Sequence, residues 1–198
     1  MNIFYRYIGI MLAILAIVSV MGIVVYAEGR SISTSNVDPF SNIAKHEIRE
    51  NNLIINKSTE YSFTTPEFSI YEVLVNGKEN ALDTSVMIEH LINRSKYIKK
   101  PAPGIIYENE NVWIGTNRLN NMSVRFRINN SWIDENDINN GHFISLLRWN
   151  GTAWVVYKTN VTGKDYLYTY FSSPNISAPT LKTGMASLSL FAIGALPN

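Results

Sequence analysis

Met122-Ser123-Val124-Arg125-Phe126-Arg127-Ile128-Asn129 is the stretch that decides the fold class. Met122, Val124, Phe126 and Ile128 alternate with Ser123, Arg125, Arg127 and Asn129, and this period of two puts an apolar row and a basic, polar row on opposite faces of one strand. Tyr61 to Thr64 and Ser69 to Val75 are likewise β-branched and aromatic runs. Phe143 to Trp149, then Asn150-Gly151, then Thr152 to Lys158 reads as a hairpin, because Asn-Gly favours the tight turns that join antiparallel strands. Asn76-Gly77 and Asn140-Gly141 carry the same signal. Tyr166 to Phe171 and Ser187 to Ile193 add two more strands. In the stretch Asp83 to Asn93, Val86, Ile88 and His90 alternate, which favours a strand over the helical spacing also present there. One short helix is expected where Ser131 can cap Trp132 to Asn136, with Asp134 and Glu135 in the first turn facing the positive end of the helix dipole. About eight short strands with turns between them, and no repeating strand-helix unit, predict an all-β, antiparallel two-sheet β-sandwich with one short helix.

The 198 residues contain no cysteine, which excludes disulfide scaffolds, thiolate metal sites and cysteine nucleophiles. Tyr7 to Ala27 is a charge-free apolar run behind Arg6, and 21 helical residues at about 1.5 Å rise each would cross about 30 Å of hydrocarbon. It predicts an N-terminal membrane-targeting helix over residues 1–27, either a signal peptide ending at Val25-Tyr26-Ala27 or a retained membrane anchor. A positive residue before the run predicts export of the remainder of the chain. Residues 28–37 are small, polar and aperiodic, as a flexible spacer would be, and 38–198 form the sandwich domain. With Arg6 set aside, basic and acidic residues balance at 16 each, so there is no electrostatic case for nucleic acid.

Export gives the 23 asparagines a second meaning. Asn-x-Ser/Thr acceptor triplets start at Asn56, Asn93, Asn121, Asn129, Asn150, Asn160 and Asn175, about twice what the composition yields by chance, and these seven are the glycosylation candidates. Catalytic chemistry leaves no comparable trace. His46, His90 and His142 have no metal-binding spacing, Asp134, Glu135 and Asp137 lack the order and glycine of a calcium loop, and there is no nucleophile elbow or phosphate loop. No catalytic, cofactor-binding or metal-ligating residue is therefore assigned, and no two of the scattered acids stand out as a glycosidase pair. Trp113, Trp132, Trp149 and Trp154 could line a sugar platform. Core packing is the stronger expectation for Trp149 and Trp154, because a two-residue turn at Asn150-Gly151 puts Leu147, Trp149, Thr152 and Trp154 on one face too apolar for water. Arg94, Lys96, Lys99 and Lys100 form one basic patch, read as a solvated loop.

An ordered series of short motifs carries a family resemblance: Asp38-Pro39-Phe40-Ser41-Asn42-Ile43, Tyr61-Ser62-Phe63, Glu89-His90-Leu91, Pro103-Gly104, Asn111-Val112-Trp113-Ile114-Gly115, Trp132-Ile133-Asp134-Glu135-Asn136, Arg148-Trp149-Asn150-Gly151-Thr152-Ala153-Trp154, Tyr168-Thr169-Tyr170-Phe171 and Ser189-Leu190-Phe191-Ala192-Ile193-Gly194. Over about residues 38–194 the chain resembles the PGF-pre-PGF domain of archaeal, chiefly methanogen, cell-surface proteins. In that family the domain precedes a Pro-Gly-Phe sorting segment that is replaced by a lipid anchor. This sequence has Met185-Ala186-Ser187-Leu188 where the family reads Gly-Phe-Ser-Pro, and no Pro-Gly-Phe comes after it, so the sorting role is not carried over. The resemblance implies a non-enzymatic extracellular module with a structural or adhesion role. The other expectation is a secreted carbohydrate-binding or glycan-hydrolysing accessory domain. The partners expected are the membrane, through the N-terminal segment, and other envelope proteins or surface glycans.

Overall fold

A computed structural model describes residues 42–138, 142–178, 181–183 and 186–197 of the chain. The expected membrane-targeting segment, the expected spacer and the expected start of the domain at Asp38 lie outside the described residues, as do Asn140-Gly141. Among the described residues no helix is long and apolar enough to cross a membrane. The strands are β1 (Ile43–Leu53), β2 (Ser58–Ser62), β3 (Ile70–Gly77), β4 (Ala81–Leu91), β5 (Ile105–Ile114), β6 (Leu119–Asn129), β7 (His142–Trp149), β8 (Trp154–Tyr157), β9 (Asn160–Lys164), β10 (Tyr168–Ser177), β11 (Leu181–Thr183) and β12 (Ala186–Pro197), with one helix, α1 (Asn130–Glu135), between β6 and β7. They form two antiparallel sheets, ordered β1-β4-β5-β12-β7-β8 with β11 also on β12, and β2-β3-β6-β10-β9. We refer to these as the seven-stranded and five-stranded sheets.

Alternation builds the core as predicted. Met122, Val124, Phe126 and Ile128 of β6 are wholly buried, and they meet Val86 and Ile88 of β4, Val112 and Ile114 of β5 and Phe191 and Ile193 of β12 across the space between the sheets. Phe126 and Phe171 stack at 5.3 Å across the β6–β10 pair. Along one side the edge strands β1 and β2 close the sandwich: Arg49 donates from Nε to the Ser62 carbonyl at 3.0 Å and Thr59 from its hydroxyl to the Asn52 carbonyl at 3.2 Å. On the opposite side, β8 and β9 border an open groove of about 530 Å³ lined by Phe143, Val156, Val161 and Phe171.

The centre of the seven-stranded sheet is buried on both faces. Its outer face carries Trp149, Leu188 and Leu190, which pack on Ile98, and Leu147, Ala192 and Leu196, which pack on Ala102. Ile98 and Ala102 belong to the 92–104 connection between β4 and β5, which lies over that face as a cover. Its basic residues Arg94, Lys96, Lys99 and Lys100 are exposed as expected, while Ile98 and Ala102 point toward the sheet.

Several expectations need correction. The β7–β8 turn spans four residues: Trp149 pairs with Trp154, and Asn150 donates from its backbone N–H to the Ala153 carbonyl at 3.0 Å. The Asn150 side chain accepts from the Thr152 and Ala153 N–H groups, an Asx turn that favours the longer loop. Leu147, Trp149 and Trp154 do share a face, but it is the covered outer face of the seven-stranded sheet and not the core between the sheets. Asn76-Gly77 ends β3 inside the ladder, so it is not a turn. The helix cap is Asn129, whose Oδ1 accepts from the N–H and hydroxyl of Ser131. Ser131 is thus inside the helix.

Candidate functional site

Chemistry gathers where β5 enters the core. Glu108 and Glu110 alternate with Asn109 and Asn111, on the same strand face as Val112 and Ile114, so the pleat points two carboxylates into the space between the sheets. His90 of β4 pairs directly with Glu110. Glu110 is fully buried and spans to the other sheet: Ser69 donates its N–H to Oε1 at 2.8 Å, and Ile70 donates its N–H to Oε2 at 3.0 Å. Glu108 Oε2 accepts from the Ser69 hydroxyl at 2.5 Å and stands 3.7 Å from His90 Nδ1.

The surroundings leave this charge under-compensated. Among the described residues no lysine or arginine forms an ion pair with Glu108 or Glu110. Arg127 is near, yet its guanidinium donates to the Pro66 carbonyl at 3.0 Å and lies 4.7 Å above the Tyr168 ring. Lys45 is engaged by Glu67. Burial, and next the charge of Glu108, hold the Glu110 carboxyl well above the usual range, against the lowering effect of the two N–H groups. Burial also raises Glu108, opposed by the Ser69 hydroxyl and His90.

This burial makes stability depend on pH. A carboxyl raised in the fold binds its proton more tightly there than in the unfolded chain, so it contributes stability below its unfolded value near 4.5 and loses it as pH rises through the folded value. At Glu47 burial is outweighed by hydrogen bonds from Thr65 and Thr64 and by the charge of Arg49, so its carboxyl is lowered and its contribution is lost as pH falls. Thermal melts in a chelator should therefore show the midpoint falling as pH rises above the unfolded carboxyl value near 4.5, with a flatter slope in Glu108→Gln. A midpoint that rises over that range would contradict the arrangement.

The space beside Glu108, lined by Ser69, Tyr107, Arg127 and Tyr168, is about 80 Å³, room for two or three water-sized groups and too small for a sugar ring. Glu110 is also sealed off by the other sheet, whereas a hydrolase pair acting on a glycosidic bond needs both carboxyl groups open to the substrate. Two larger spaces differ in character. The β8–β9 groove and a second one of about 580 Å³, lined by Asn80, Leu82, Thr84, Thr116 and Arg118, have no carboxylate or imidazole in their lining among the described residues.

The outer face of the five-stranded sheet is the other feature. Tyr168 and Tyr170 alternate with the buried Thr169 and Phe171, and a register shift between Ile70 and Glu72 turns Tyr71 toward Tyr170, ring centroids 5.8 Å apart. Tyr168 lies 6.4 Å beyond Tyr170, with Arg127 over it. Arg125 is paired with Glu72 at 2.8 Å, so this aromatic row is flanked by compensated charge.

The residues singled out by sequence are spread over the fold. Asn56, Asn93, Asn160 and Asn175 are exposed. Asn121 is half-buried and accepts a hydrogen bond from Asn76 at 2.5 Å, Asn129 is held as the helix cap, and Asn150 shapes the hairpin turn. Of the three histidines, only His90 joins an acidic cluster among the described residues. Tryptophans 113, 149 and 154 serve the covered face, and Trp132 packs 5.0 Å from Tyr107. Sequence reading misses Glu108 and Glu110; acids at the core parity of a strand ending Val112-Trp113-Ile114 are the signal available. Set against protein-family models, curated proteins and solved structures, the chain matches none of them.

Proposed function

We propose that the chain is a non-enzymatic cell-envelope module, exported behind its N-terminal apolar segment, with a structural or adhesion role. One observation carries this reading. The molecule covers the outer face of the centre of one sheet with its own 92–104 segment and leaves the outer face of the other sheet bearing an aromatic row, Tyr71, Tyr170 and Tyr168, beside Arg127. Half-buried aromatic residues next to hydrogen-bonding groups, as these three tyrosines are, supply contact area at low entropic cost. Among the described residues, the two larger grooves are lined by no carboxylate or imidazole, and the carboxylate-histidine cluster lacks room for an organic substrate, which favours binding over turnover. The PGF-pre-PGF resemblance agrees with a surface location.

A carbohydrate-binding role is the second reading, and the same tyrosine row favours it, since ring faces stack on the apolar faces of sugars. The test is cosedimentation of the full chain with isolated cell envelope, before and after proteolysis of the envelope. Tyr168→Ala/Tyr170→Ala should weaken binding about tenfold or more while leaving the circular dichroism spectrum intact. Binding that survives proteolysis of the envelope identifies a glycan partner. Unchanged binding by the double variant would remove this face from the function.

A further inference from the structure

We propose that His90, Glu108 and Glu110 form a binding site for a divalent transition cation of the zinc type. The proposal is independent of the envelope reading. One ligand atom from each residue lies within 4.8 Å of the others, and the three come from paired strands of one sheet, so the ladder fixes their spacing. His90 Nδ1 has no solvent exposure and no hydrogen-bond partner, and Glu108 Oε2 stands beyond hydrogen-bond distance from it. A buried ring nitrogen without a partner is costly unless something occupies its lone pair or takes its proton. An ion next to Glu108 meets that need.

The donor set selects the ion. An imidazole with two carboxylates suits zinc or manganese, whereas calcium prefers more numerous oxygen ligands. Ligand atoms about 2.0–2.2 Å from a tetrahedral ion stand about 3.4 Å apart, so separations that lie within 4.8 Å need to close by at most about 1.4 Å. Rotation of Glu108 at the rim can supply it, because Glu110 is fixed by the Ser69 and Ile70 N–H groups. Those two bonds use one lone pair on each oxygen and leave others for metal. The space of about 80 Å³ beside Glu108 gives the fourth position to water. Ser69, whose hydroxyl donates to Glu108 Oε2, becomes the orienting outer partner. The positive groups around the cluster, Arg127 and the Lys45 held by Glu67, are engaged elsewhere and do not fill the ligand positions.

The full 198-residue chain, stripped with a chelator and dialysed, is titrated with Zn²⁺ and with Mn²⁺ by calorimetry, and its thermal midpoint is followed with and without each ion. One equivalent should bind and raise the midpoint. Glu108→Gln and His90→Gln should each weaken binding by about 10-fold to 100-fold or more, the loss typical of outer-shell changes being the lower bound for a ligand. His90→Gln sits at the rim and leaves the Glu110 tie between the sheets in place, so it remains informative if Glu108→Gln folds poorly. His46→Ala, an exposed histidine on β1, should bind as the parent does. No binding by the parent, or equal binding by parent and His90→Gln, overturns the site and leaves the carboxyl pair to be neutralised by a proton.

Discussion

Trp149→Ala is expected to lower the unfolding free energy by about 3–5 kcal/mol, the range for truncating a buried aromatic side chain. Trp154→Ala should cost less, about 1–2 kcal/mol. The two residues oppose each other across β7 and β8 with rings 5.6 Å apart, and only their burial distinguishes them. Trp149 is 3% exposed and packs among Ile98, Leu188 and Leu190, while Trp154 lies at the border, where its Nε1 donates to the Lys100 carbonyl at 3.0 Å. Removing Trp149 therefore leaves a cavity beneath the 92–104 cover, whereas removing Trp154 opens a contact that water can reach. Urea denaturation of both variants measures the difference. Limited trypsin digestion adds a local readout, since the cleavable sites after Arg94, Lys96 and Lys99 all lie in the cover, and the Trp149 variant should be cut there first. Equal and small losses would mean that the cover is not held by this packing and that the tryptophans remain available to a ligand.

How far the sequence shows this architecture depends on what each strand faces. Strand β6 is legible because one of its faces is wholly apolar and the other polar. Strand β1, Ile43–Leu53, is an edge strand whose residues are mostly exposed on both faces; Lys45, His46, Glu47, Arg49 and Glu50 give no period, so nothing in the stretch announces a strand. Charge on an edge also discourages pairing with another chain. For the tryptophan face, alternation shows burial and misleads on the layer, because parity tells which residues share a face and not what covers it. The cover has no regular structure, and Ile98 and Ala102 are isolated apolar residues in a basic stretch. The carboxylate cluster is illegible for a related reason. Glu110 occupies a core position that composition rules would give to an apolar residue, and its partners Ser69 and Ile70 are some 40 residues earlier in the chain. A second buried polar tie has the same pattern: Arg148, next to Trp149, donates across the sandwich to the Ser177 hydroxyl at 2.9 Å with its guanidinium over Tyr157. Both ties fix how one sheet sits on the other, a relation that alternation within a strand does not encode.

Gly104→Ala should be among the costliest small substitutions in the chain, at about 2–5 kcal/mol, because two effects add. Gly104 has φ +83°, where a side chain is disfavoured by roughly 1–2 kcal/mol. A Cβ there would also stand 2.1 Å from the Ala195 carbonyl oxygen and 2.9 Å from Leu196 Cδ2, so β12 or the end of the cover must move, an overpacking strain of about 1–3 kcal/mol. Gly151 provides the control. It has φ +103° at the β7–β8 turn, and a Cβ added there would meet nothing within 4 Å, so Gly151→Ala isolates the conformational cost alone. The difference between the two variants in urea denaturation thus measures the close approach of the cover to β12. Because Pro103-Gly104 closes the cover just before β5 begins at Ile105, displacement at this point should also loosen Ala102 from Leu147 and Leu196. Digestion at Lys96 and Lys99 should then accelerate in Gly104→Ala and not in Gly151→Ala. Equal costs for the two glycines, with digestion unchanged, would show that β12 yields without strain and that the cover is held by Ile98 and Trp149 alone.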